Sequence, residues 1–159
     1  MGRASALLAV VAAIAAYDVV HAHLWDASDW WDVSFIAAVL KSLQRLHVDP
    51  LSIYGTNCLK FADGDEEESR SFLMRELHIV QPKLIVPMGE ETVAFLNSIE
   101  FPLADALEWK PGELQRFTAT VDALVVPDID TSLDEAPAKT TFWNAFKPLG
   151  TWWAELPPY

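Results

Sequence analysis

Apolar positions along this chain follow two periods, and the switches between them mark its elements. Phe35, Val39, Leu43 and Leu46 recur at helical spacing. They predict a helix to about Leu46 with one apolar stripe, capped by Asp29 or Asp32. His47-Val-Asp-Pro50 predicts a turn and Leu51–Asn57 a strand. Phe61–Glu68 reads as an acidic loop running into a helix, with Leu73, Leu77 and Val80 facing the core and Pro82 stopping it. Lys83–Met88 is a short apolar strand, Gly89 a turn, and Glu90–Ile99 a helix. Pro102–Gly112 carries no period. Glu113–Thr120 and Asp122–Val126 read as a strand pair, or as a bend and a strand. Ser132 or Asp134 caps a last helix, with Glu135 in capping-box position for Ser132 and a stripe of Phe142, Phe146 and Leu149. The tail Thr151–Tyr159 is expected to pack as irregular structure.

This alternation predicts an α/β fold of three layers, a mostly parallel sheet flanked by helices. The 159 residues suit a single domain. An open parallel sheet collects its binding groups at the carboxyl ends of its strands. Thr56-Asn57 and Met88-Gly89 both fall at such ends and are expected to share one crevice. Residues 1–30 leave several readings open. Arg3, the apolar run Ala4–Ala16 and Val20-His-Ala22 fit a signal peptide, and equally a buried first strand or an Ala-rich helix. The run falls short of the roughly 20 apolar residues that span a bilayer, so no membrane association is expected. The rest reads as a cytoplasmic fold; secretion is the alternative if residues 1–22 are a leader.

Charge narrows the partners. The formal net charge is −12, and the 11 Lys and Arg form no basic run. Nucleic-acid affinity leans on cationic contacts to phosphate, so DNA binding is expected to be weak. Seven Trp and eight Phe leave some aromatics for stacking beyond those the core takes. Cys58 is the only cysteine, which excludes an intrachain disulfide and an all-cysteine metal site. Among His21, His23, His47 and His78 only the first two are closely spaced. No metal and no cofactor is expected.

Three stretches together resemble the middle of the uracil-DNA glycosylase superfamily, nearest to its iron–sulfur type. They are Tyr54-Gly-Thr-Asn-Cys-Leu-Lys60, Arg70-Ser-Phe-Leu73 and Gln81-Pro-Lys-Leu-Ile-Val-Pro-Met-Gly89. The resemblance runs over Leu51–Leu96 and continues weakly to Phe142-Trp143, about half the chain. It implies that Asn57 reads a flipped uracil or another nucleobase, its carboxamide offering one acceptor and two donors to a pyrimidine edge. An asparagine that merely ends a strand on its own backbone is the alternative. It also implies an aromatic stacked on the base, which ungapped counting places at Trp31, or at Phe35 if the register slips. Gly89 would line the same pocket.

The departures lie in the chemistry. The family's first motif is a glycine-rich turn holding a water-activating acid. Asp18 stands at that place, within Tyr17-Asp-Val-Val20, without the glycines. The family's later histidine, which meets the departing uracil anion, has no counterpart, because no histidine follows His78. Its loop here is Val126-Pro-Asp-Ile-Asp-Thr-Ser132, where Asp128 or Asp130 would oppose a developing oxyanion unless protonated. Phe61 and Ser69 fall where two cluster cysteines would be, so no iron–sulfur cluster is implied. The resemblance therefore implies a glycosylase-like, repair-related protein with weak or absent catalysis. The alternative is a module on that fold that binds a nucleobase, a nucleotide or a protein. Whether the chain is an enzyme stays open at this level.

Overall fold

The structure, a computed structural model, describes residues 6–10, 33–49, 52–57, 66–128 and 135–156. Its strands are β1 (Ala6–Val10), β2 (Ile53–Asn57), β3 (Leu84–Met88), β4 (Leu114–Thr118) and β5 (Val121–Leu124). Its helices are α1 (Val33–Arg45), α2 (Glu66–Val80), α3 (Glu90–Ser98), α4 (Ala136–Phe146) and α5 (Pro148–Ala154).

The strands form one five-stranded sheet in the order β2-β1-β3-β5-β4. β1 pairs antiparallel with both β2 and β3. β3 pairs parallel with β5, and β4 folds back antiparallel on β5. The sheet is therefore mixed, where a mostly parallel one was expected. The reason is β1. It belongs to the apolar run Ala4–Ala16, whose composition carries no sign of strand direction, and it inserts between β2 and β3 running against both. Those two strands still point the same way, as does β5.

The expectation of three layers holds. Along β3, Leu84, Val86 and Met88 pack on one face with Val39 and Leu43 of α1 and with Phe142, Phe146, Leu149 and Trp152 of α4 and α5. Ile85 packs on the other face with Leu73 and Leu77 of α2 and Val93 and Leu96 of α3. β5 and the two residues after it divide likewise, Leu124 and Val126 to the first face, Ala123 and Val125 to the second. A strand covered on both faces has no polar side, which is why β3 is an unbroken apolar run.

Pro87 sits inside that central strand. Lys83 accepts from Asp122 N–H at 2.9 Å and Pro87 accepts from Val126 N–H at 3.0 Å, so odd-numbered residues of this stretch face β5. The missing N–H of Pro87 thus falls on the β5 side. The parallel ladder breaks there and resumes as a lone bridge between Met88 and Val126.

The carboxyl-terminal end departs from expectation. Part of the tail expected to be irregular is helical. Pro148 starts α5, and Leu149 and Trp152 are buried one turn apart. Trp152 Nε1–H donates to Asp122 Oδ2 at 3.0 Å, tying this helix to β5. Gly150 lets the helix approach α1, since a Cβ there would stand 3.0 Å from Leu46 Cδ2. At the start of α4, Glu135 takes the cap position with extended backbone and no side-chain capping bond. Ser132 and Asp134 lie outside the described residues. Among the described residues no helix is long and apolar enough to cross a membrane.

Candidate functional site

The expected site lies where β2, β3 and β5 end. Asn57 pairs with Ala6, Ala6 with Met88, and Met88 bridges to Val126. One row across the sheet therefore carries the last residues of β2 and β3 and the extension of β5. With strands about 4.8 Å apart, the Asn57 backbone lies roughly 10 Å from Met88, with β1 between them. The Asn57 backbone is part of the ladder with β1, so its place on this edge is fixed by sheet register.

Gly89 turns the chain from β3 into α3 with φ +102° and ψ 152°, a conformation open essentially to glycine alone. Its N–H donates to Val126 carbonyl O at 2.9 Å, and its own carbonyl accepts from Val93 N–H at 3.3 Å. Both polar groups of Gly89 are thus engaged in holding β3, β5 and α3 together. What Gly89 gives to this edge is the lack of a side chain. Thr92 is fully buried and donates its hydroxyl to Met88 carbonyl O at 2.9 Å, closing the same corner.

Electrostatics here disfavour a polyanion. Glu90 and Glu91 are exposed in the first turn of α3, where they complement the helix dipole. The same two carboxylates repel a phosphate approaching that helix end. Asp128 is half-buried two residues beyond Val126 and keeps interactions of its own. Three carboxylates thus stand at or near the corner where β3 and β5 end.

The remaining expected residues are placed unevenly. Phe35 belongs to the first turn of α1, four residues before buried Val39. Asp18, Trp31 and Asp130 lie outside the described residues, as do Cys58 and Phe61. Ser69 is fully buried within α2. Trp143 is half-buried, with the Arg45 guanidinium 3.9 Å above its ring, so one face of that indole is covered. Among the described residues no group of three His, Cys, Asp or Glu could hold a metal ion.

One feature of the opposite edge escaped sequence reasoning. A cavity of about 480 Å³ opens at the amino ends of β3 and β5. His78 and Phe101 meet there, though they are 23 positions apart and Phe101 directly precedes the segment without periodicity. No spacing in the sequence signals that contact.

Comparison of the chain with known protein families, with curated proteins and with solved structures gives no match.

Proposed function

We propose that this chain is a glycosylase-like nucleobase-binding protein in which excision of uracil is weak or lost. The observation that supports the reading is the shared edge. Asn57 ends β2 in the same row that holds Met88 and Val126. An open α/β sheet binds its ligands at such an edge. On this reading the Asn57 carboxamide pairs with the edge of a pyrimidine and Gly89 leaves room beside it. Trp31 or Phe35 supplies the stacking face, an interaction worth about 1–3 kcal/mol per base.

Binding without turnover is the better account of the chemistry. Departure of a uracil anion needs donors, and the loss of one oxyanion-type donor typically costs about 10²–10³ in rate. No histidine follows His78, the Gly89 N–H is taken by Val126, and Asp128 brings a carboxyl group instead. Asp18 without a glycine-rich turn is a poor counterpart of the water-activating acid, and general-base help is typically worth about 10²–10⁴. Binding of free uracil, tested beside release of uracil from single- and double-stranded DNA, separates the two activities. Saturable binding with little or no release supports the reading. Absence of binding by the free base and by uracil-containing DNA overturns it.

A further inference from the structure

The cavity at the amino ends of β3 and β5 combines apolar side chains, three aromatic rings and one lysine. Its floor is apolar, formed by Leu77, Ile85 and Phe117. One wall is a run of rings. His78 and Phe101 stack with centroids 4.9 Å apart and planes 28° apart, and Phe101 meets Phe117 at 5.7 Å. The ring edges and the faces these contacts leave open favour an aromatic ligand through edge-to-face and offset contacts.

The rim sets the charge. Lys83 lines the cavity and is half-buried, and among the described residues its ammonium has no ion pair or hydrogen bond. Thr118, Thr120 and Gln81 add neutral donors. Among the described residues no Asp or Glu lines the cavity. An ammonium in such a lining is matched by one anionic group on a ligand. The volume of about 480 Å³ falls within the roughly 300–1,000 Å³ of ordinary small-molecule sites.

We infer that this edge is a second binding site, for a small planar aromatic ring carrying a single carboxylate. The ring lies against Phe101, Phe117 and His78, and the carboxylate meets Lys83. The site is separate from the Asn57 edge and stands or falls independently of it.

The test titrates the full chain with 2-naphthoate and, in parallel, with its neutral isostere 2-naphthamide, followed by amide ¹H–¹⁵N correlation spectra. The expected result is saturable shifts at His78, Lys83, Phe101 and Thr118, with naphthoate binding roughly tenfold tighter than the amide. Lys83→Gln keeps the backbone carbonyl that accepts from Asp122 and is expected to abolish that difference. Equal affinity for the two probes on the native protein overturns the inference without recourse to any variant. So does the absence of saturable shifts, or shifts centred on Val126–Asp128 instead.

Discussion

The Gly89 N–H donates to the Val126 carbonyl at 2.9 Å, and this bond rejoins β3 and β5 beyond the break made by Pro87. Immediately after it the chain turns sharply into α3 at Gly89, with φ +102°. Gly89→Ala forces a side chain into backbone space that costs about 1–3 kcal/mol. The expected outcome is a lower urea midpoint at unchanged slope, and a melting temperature lower by roughly 2–4 °C per kcal/mol. An unaltered midpoint would show that this corner does not require glycine.

Trp152 and Asp122 make the corresponding tie at the other end of the sheet. The indole N–H reaches Asp122 Oδ2 at 3.0 Å from a side chain only 9% exposed. Trp152→Phe retains most of the ring but leaves the carboxylate without this donor. A loss of about 1–3 kcal/mol is expected. A double-mutant cycle with Asp122→Ala should return a coupling of at least about 0.5 kcal/mol. Additive single effects would mean that the bond contributes nothing beyond packing.

Burial separates two apolar side chains that composition treats alike. Phe146 is 0% exposed and stacks on Phe142 at 5.4 Å, whereas Ile79 on α2 is 75% exposed. Phe146→Ala is expected to cost about 3–5 kcal/mol through lost transfer energy and a residual cavity. Ile79→Ala is expected to stay within about 0.5 kcal/mol of the parent. Chemical denaturation of the two variants compares them directly, and similar midpoints would contradict the layer assignment.

Much of the layered order was legible because hydrophobic spacing reports it. Val39 and Leu43 on α1, and Leu73, Leu77 and Val80 on α2, are buried as their spacing predicts. The Lys83–Met88 run became β3 with a boundary shift of one residue. The direction of β1 was not legible, since an apolar run reads the same in either sense and pairing depends on partners far along the chain. Helix α5 was missed because Trp and Pro in a tail look irregular until Leu149 and Trp152 find the core. Of the expected site, register places Asn57, Met88 and Gly89 on one edge. That the Gly89 amide is engaged by Val126 depends on β5 continuing past Leu124, and no local signal carries that.

If uracil excision is weak, substitution at the residue proposed to read the base should change binding and leave little rate to lose. Asn57→Ala is expected to weaken uracil binding by about tenfold or more, since each lost carboxamide hydrogen bond is worth about 1 kcal/mol. Asn57→Gln, which keeps the same donors and acceptor on a longer stem, should recover part of it. Fluorescence or calorimetric titration of both variants checks this. Equal affinity for native protein and Asn57→Ala would remove Asn57 from the site.

The most direct measurement is a uracil titration of the full chain followed residue by residue in amide ¹H–¹⁵N correlation spectra, with Asn57→Ala alongside. Saturable shifts are expected to cluster at Asn57, Met88 and Val126, the row that sheet register brings together, and at the adjoining Gly89 and Asp128, and to be lost in the variant. Saturable shifts confined to the His78–Thr118 edge, or no shifts at any uracil concentration, would contradict the proposed function.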